Sequence, residues 1–176
     1  PESLLAGGIR KDSIVYKIFL KVSQSIYRRA DDLLVSSRGF VNYFRQVLKL
    51  EDKRIRYMPQ YAEDMFDELP AASLQKNCVD FVFAGNVGML QSVETIVEAA
   101  RLLKDRRNIR IHIVGGGIAL DNCKKQAEGL ENIIFHGRHD VAEMPAFYAM
   151  ADAMLITMKD DPVLSATLPG KVQTYM

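Results

Sequence analysis

The 176-residue sequence has only two cysteines and three histidines, a net charge of +1 and no long apolar run. Each shortage removes a class of function. Cys78 and Cys123 stand in no metal-ligand spacing, so they read as reduced thiols of a cytoplasmic protein rather than as a disulfide or a catalytic cysteine. Lysines and arginines are scattered, and the near-neutral balance leaves no electrostatic case for nucleic acid as a partner. No apolar stretch nears the roughly 18 residues of a membrane span, and the first residues lack a signal-peptide pattern. No Ser/His/Asp or Cys/His nucleophilic set follows from spacing. Asp160-Asp161 lacks an accompanying His or carboxylate cluster and reads as a turn rather than a metal site. There is no internal repeat and no low-complexity tract.

What is present is an ordinary globular composition, 48% apolar and 26% charged, long enough to bury about two-thirds of the surface its unfolded form exposes. Three strand-like segments end in glycine: Phe81 to Gly85, Ile109 to Gly117 and Ile133 to Gly137. Apolar runs of this length, alternating with helix-period segments, read as parallel strands buried on both faces. Their carboxyl ends converge on one edge of a doubly wound α/β sheet, where a ligand would sit.

Along the chain, apolar residues at Ile14, Val15, Ile18, Phe19, Val22 and Ile26 mark an amphipathic helix over 13–30, expected to pack this face on a core; a membrane-surface helix is the alternative, given Lys17, Lys21, Arg28 and Arg29. A strand at 32–35, a Ser36-Ser37 cap, a helix at 39–48 and a strand at 54–58 follow. Residues 60–77 change character, with Glu63, Asp64, Asp67 and Glu68 leading into Pro70 to Ser73, and read as a linker between units 1–59 and 78–176. The second unit alternates strand 79–84, helix 92–104, strand 109–114, a helix around Leu120 to Ala127, strand 133–136, helix 145–151 and strand 153–158. Pro169 opens a last helix that has no stop signal, so the chain is expected to be a piece of a longer protein.

The loop Ala84-Gly85-Asn86-Val87-Gly88, between a strand and a helix, would let backbone amides approach phosphate oxygens, although a plain tight turn explains it equally well. Gly115-Gly116-Gly117 invites a dinucleotide reading that fits poorly, because Leu120 stands where a third glycine belongs and no acidic residue follows to hold a ribose. His112 alternates along a strand as a packing residue; His136 and His139 flank Gly137-Arg138 at the ligand edge, better placed for contact, with a solvated loop the plainer reading. Ser165-Ala166-Thr167-Leu168-Pro169-Gly170-Lys171 combines hydroxyls, helix-start amides and a lysine suited to a diphosphate, or is simply a capped helix.

Taken together, Pro1-Glu2-Ser3, Ile26 to Asp31 with Leu34-Val35-Ser36-Ser37, Phe83 to Gly88, Val114 to Gly117, Phe135 to Arg138, Ala151-Asp152-Ala153 and Pro169 to Met176 resemble, in order and spacing, the retaining group 1 (family four) glycosyltransferases of bacterial surface-polysaccharide assembly. The resemblance implies a GT-B-like architecture, with a Rossmann-type donor-binding domain from about 78 and the rear of an acceptor-binding domain at 1–59. It implies that Gly85, Asn86 and Gly88 approach the diphosphate, that Arg138 lies beside the nucleobase, that Ser165, Thr167 and Lys171 surround phosphate and sugar, and that Gln173 holds the ribose position. Many relatives carry Arg, Lys, Glu and Glu where this sequence has Asn86, Gln91, Ser165 and Gln173. The charge then falls to Lys171, expected to stabilise a departing nucleoside diphosphate with no metal and no cofactor. The implied partners are a nucleotide-sugar donor, expected to be UDP-linked, and a glycan or lipid-linked acceptor; the implied location is cytoplasmic, peripheral at the inner membrane face. Two readings from other classes stand beside it: a non-catalytic nucleotide-binding module with a doubly wound sheet, and, further back, a nicotinamide oxidoreductase.

Overall fold

The computed structural model describes residues 2–6, 8–62, 64–66, 76–161 and 164–176. Glu63, Asp67, Glu68 and Pro70 to Ser73, which carry the linker reading, lie outside the described residues, as does Pro1. The chain divides into two compact units, Pro1–Tyr61 with Asp160–Gly170, and Ala62–Lys159 with Lys171–Met176.

In the first unit a short helix α1 (Ser3–Ala6) precedes α2 (Ile14–Arg29), which starts where the Ser13 hydroxyl accepts the Tyr16 amide at 3.1 Å, a side-chain cap for one of the free first-turn donors. Strands β1 (Leu33–Val35) and β2 (Ile55–Tyr57) pair in parallel, with Leu33 opposite Ile55. The connection between them is helical: α3 (Gly39–Asn42) runs straight into a π-turn at Tyr43–Val47. Leu33, Leu48 and Leu50 form the buried centre, flanked by Leu20, Tyr27 and Phe44. Gly39 is required here, since a Cβ would lie 2.7 Å from the Ala166 carbonyl oxygen, and the same carbonyl accepts the Ser37 hydroxyl at 2.6 Å.

The orientation of α2 is opposite to the one its sequence stripe predicts. Ile14, Ile18, Phe19, Val22 and Ile26 are exposed, Ile14 by 76%. Tyr16 is buried instead, and Leu20 and Tyr27 pack inward. Periodicity locates a stripe but not its neighbour. Here specific contacts decide: the Tyr16 hydroxyl donates to Glu2 at 2.8 Å, and the Tyr27 ring meets Phe44 edge-on at 4.8 Å. No described helix is long and apolar enough to cross a membrane.

The second unit is a four-stranded parallel sheet in the order β5-β4-β3-β6, from β3 (Val79–Ala84), β4 (Ile109–Val114), β5 (Ile133–Gly137) and β6 (Ala153–Met154). Phe83, Ile111, Ile113 and Ile133 point to one face and pack on α4 (Glu94–Leu102) and α5 (Leu120–Gln126) through Ile96, Val97, Ala100 and Cys123. Val82, Ala84 and Val114 point to the other and meet α6 (Met144–Met150) and α7 (Lys171–Tyr175) through Met144, Phe147, Tyr148 and Tyr175. Burial on both faces explains why these strands read as continuous apolar runs, and each fully buried aliphatic or aromatic side chain contributes about 1.5–3 kcal/mol. The chain leaves β3 towards β4 and β5, then crosses to β6 on the other side of β3, so the strand order reverses next to β3 and opens a crevice at its carboxyl end.

Most predicted elements stand where expected, including the Asp140–Glu143 capping box. Two do not. Pro169 precedes α7 rather than opening it. The strand expected over 153–158 pairs only at Ala153 and Met154, because the Ala84 amide and carbonyl, which would continue the ladder, are both bonded to the Tyr175 hydroxyl, at 3.1 and 2.8 Å.

The ends of β3 and β4 approach so closely that a Cβ on Gly115 (φ +141°) would fall 1.8 Å from the Gly85 carbonyl oxygen. Gly129 has φ +79° with nothing within 4 Å of its Cβ position. In thermal or urea unfolding, Gly129→Ala should lose only the left-handed conformational penalty, about 1–2 kcal/mol. Gly115→Ala should lose that and a further overlap cost of about 1–3 kcal/mol; equal losses at the two positions would contradict the close approach.

Candidate functional site

Three loops at the carboxyl ends of β3, β4 and β5, together with α7, enclose a cleft of about 800 Å³ within the second unit. Its floor is the backbone of Ala84, Gly85 and Gly115 to Gly117; one wall is Arg138, His139 and Val141; Lys171 and Thr174 close it from α7. Glycine makes this floor. The Asn86 side chain lies across both Gly88 and Gly117, whose Cβ atoms would come within 2.7 and 2.6 Å of its amide nitrogen and oxygen. The amides of Gly85, Val87 and Gly115 donate to the carbonyls of Val114, Gly116 and Gly137. Among the described residues the amides of Asn86, Gly116 and Gly117 have no protein acceptor, which leaves them to meet a ligand.

Of the two cations that line the cleft, Arg138 is exposed and Lys171 is the more buried. Its ammonium donates to the Ala84 carbonyl at 3.2 Å and stands 4.0 Å above the Phe83 ring, a cation–π contact. A Cβ on Gly85 would come within 3.1 Å of Nζ, so the glycine also makes room for the charge. Among the described residues no carboxylate forms an ion pair with it. Burial without that compensation pushes the ammonium down to about 8, and an anion bound beside it would reverse the shift.

Part of the cleft lining is apolar and aromatic. Val141, Met144 and Tyr148 belong to it, and Phe66 stacks on Tyr148 with ring centroids 4.8 Å apart and planes 20° from parallel. A glycine-lined floor, two cations in Lys171 and Arg138, and an aromatic pair lining one cleft suit a ligand with an anionic group joined to a flat ring system.

Of the residues singled out from sequence, Gly85, Asn86, Arg138 and Lys171 come together on the cleft. Gly88 is buried behind it, against Asn86 and Gln91. Gln173 faces inward, its Oε1 buried with no hydrogen-bond partner among the described residues, and Thr174 takes the lining place on α7. Ser165 and Thr167 belong to the first unit, where the Ser165 hydroxyl donates to the Asp161 carbonyl at 2.9 Å. Asp161 also accepts the Leu164 amide at 3.3 Å, the behaviour of a turn residue; Pro162, next to it, lies outside the described residues. His139 lines the cleft, whereas His136 stands behind it. Sequence reasoning missed Phe66, Tyr148 and Tyr175. Tyr175 was visible as part of the Pro169 to Met176 segment, but no local signal marks its hydroxyl as the group that ends β3.

Residues 78–176 match the family model described as glycosyl transferases group 1. The chain is 30% identical over 172 residues to "Probable glycosyltransferase WbjE" of Pseudomonas aeruginosa, a match that covers 91% of this chain and 42% of that protein. The chain therefore spans less than half the length of that curated relative. Among solved structures it resembles WaaG, a glycosyltransferase involved in lipopolysaccharide biosynthesis, with TM-score 0.64 and 15% identity over 86% of this chain and 45% of that one. It also resembles Anabaena Alr3699/HepE in complex with UDP and glucose, with TM-score 0.57 and 13% identity over 79% of this chain and 41% of that one. The parallel α/β fold is thus shared with GT-B glycosyltransferases, and, since the family model spans more than half of its length, the chain belongs to the group 1 glycosyl transferases.

Proposed function

We propose that the second unit binds the nucleoside diphosphate part of a sugar donor, UDP-linked, and that the whole enzyme transfers the sugar with retention to a glycan or lipid-linked acceptor during assembly of a surface polysaccharide. The observation that carries this reading is the cleft, which brings together backbone amides without a protein acceptor among the described residues, one desolvated lysine and an aromatic pair. The UDP and glucose of the HepE complex support the choice of donor, and the likeness to WbjE supports the transferase.

In the transfer, the bond between the anomeric carbon and the diphosphate oxygen breaks with its electron pair on the diphosphate, the acceptor hydroxyl oxygen forms the new bond, and its proton passes to the departing diphosphate. Charge grows on the leaving group. Lys171 meets that growth in a site of low dielectric, where a fixed charge counts for more than in water. Asn86 is neutral, exposed and able to offer only a dipole. In the whole enzyme, Lys171→Ala should lower kcat about 10²–10³-fold, the scale of losing one preorganised charge-stabilising donor, and Asn86→Ala by about tenfold or less. Steady-state kinetics check this, and equal losses would count against Lys171.

The depressed ammonium also makes binding depend on pH. Below about 8 Lys171 is charged in the free protein, and the affinity for UDP is at its full value. Above it the free protein loses the proton that the diphosphate needs, so binding takes up a proton and affinity falls by up to about tenfold per pH unit. Titration calorimetry of UDP from pH 7 to 9.5, in buffers of different ionisation enthalpy, should show proton uptake appearing near pH 8 and absent in Lys171→Gln. A pH-independent affinity over this range would exclude Lys171 from the diphosphate. NADH as a competitor tests the oxidoreductase alternative in the same experiment.

A further inference from the structure

Behind the Arg138–His139 wall, on the α6 face of the sheet, lies a buried polar chain that the cleft does not use directly. Asp80 on β3 is 2% exposed and His112 on β4 is 6% exposed. His112 Nε2 stands 3.1 Å from Asp80 Oδ1, and His112 Nδ1 stands 2.9 Å from His136 Nε2 on β5. The neighbouring charges settle the state of the carboxylate. Burial alone would raise its pKa, but the Arg110 guanidinium, bidentate at 2.7 and 3.0 Å, and the His112 ring outweigh it and hold the group below the ordinary aspartate range. Lys76 adds a second cation at 3.5 Å.

An ionised carboxylate can only accept, so the hydrogen of His112 must be on Nε2. A neutral His112 then presents a lone pair at Nδ1, and His136 has to donate from its own Nε2. Desolvation, reinforced by the charges His112 and His139 would carry, keeps His136 below the usual imidazole range and therefore neutral near pH 7. One carboxylate thus dictates the proton position on two successive rings.

The second ring is next to the cleft. His136 packs edge-on against Phe147 of α6 at 5.0 Å, and the same Phe147 ring holds His139 at 4.7 Å. From its other side, His139 Nδ1 reaches Glu143 Oε2 at 3.2 Å, and this oxygen also accepts the Asp140 amide at 3.0 Å. We propose that Asp80, His112 and His136 act as positioning residues for the nucleotide cleft: a relay of fixed proton order that locks the His136 ring and, through Phe147, sets the His139–Arg138 wall. This role rests on the reading of the cleft as a nucleotide site, whereas the proton order does not.

The proton order can be observed by ¹⁵N-resolved NMR of the imidazoles at pH 7.5, in the protein without ligand. Both His112 and His136 should be Nε2–H tautomers. In Asp80→Asn the side chain can donate as well as accept, so the fixed order should be lost and Nδ1–H forms should appear at both rings. A wild-type Nδ1–H form at either ring, or a His136 that ignores Asp80→Asn, overturns the relay. UDP titrations then test positioning: Kd should rise about three- to tenfold in Asp80→Asn, the usual range for residues coupled to a site through others. Nδ1–H forms with an unchanged Kd overturn the positioning role. If Asp80→Asn does not fold, His136→Phe, which keeps a ring against Phe147 but cannot donate, should raise Kd by the same factor, and an unchanged Kd there overturns it as well. A wild-type protein with both Nε2–H tautomers that fails to bind UDP overturns the donor reading, and the positioning role with it.

Discussion

The second unit depends on how closely two strand ends can approach. Parallel strands β3 and β4 stay in register from Val79 opposite Ile109 to Ala84 opposite Val114, and beyond the last pair the chains continue side by side only because residue 115 has no side chain. The Gly85 carbonyl oxygen occupies the space that a Cβ there would need. From that contact the rest of the cleft floor follows: the Gly85 amide bonds to the Val114 carbonyl, the Val87 amide to the Gly116 carbonyl, and the two loops form a single backbone surface. A floor of backbone has no side chains to hold a ligand away, and its amides without a protein acceptor among the described residues are available to an anion.

Onto that floor the fold brings one charge under unfavourable conditions. An ammonium above a phenyl ring, with a single carbonyl as its hydrogen-bond partner among the described residues, is poorly compensated, and its proton affinity is lowered accordingly. A carboxylate nearby would have relieved it. It would also have competed with an anionic ligand for the same cation. The uncompensated lysine is therefore left open to a ligand's negative charge, which the proposed diphosphate would supply.

How much of this could be read in advance varied with the range of the interaction responsible. Strands β3, β4 and β5 were legible because a strand buried on both faces is a local apolar run, and the glycine that ends each is a local signal. The extent of β6 was not, because it is set by Tyr175, 91 positions from the Ala84 backbone it bonds. The amphipathic stripe of α2 was legible and its direction was not: a helical period does not say which side the neighbouring core lies on, and Tyr16 with Glu2 decided it. Within the cleft, glycines 85 and 115 to 117, Asn86, Arg138 and Lys171 stood out by residue type and motif. The Phe66–Tyr148 stack and the Asp80–His112–His136 chain did not, since each joins residues whose local patterns look like packing.

The same tyrosine shows why α7 can carry the site's charge at all. Five residues are too few for an isolated helix to hold its shape in water. What fixes α7 is tertiary: the Tyr175 hydroxyl donates to the Ala84 carbonyl and accepts its amide, and the Tyr175 ring meets Tyr148 edge-on at 5.5 Å. Lys171, one turn earlier, bonds the same Ala84 carbonyl. Strand β6 gives up its ladder at Met154, and the backbone groups it leaves at Ala84 become the anchor of the cleft's helix. The shortened edge strand and the placement of the cation are therefore one structural choice, made at the last residue of β3.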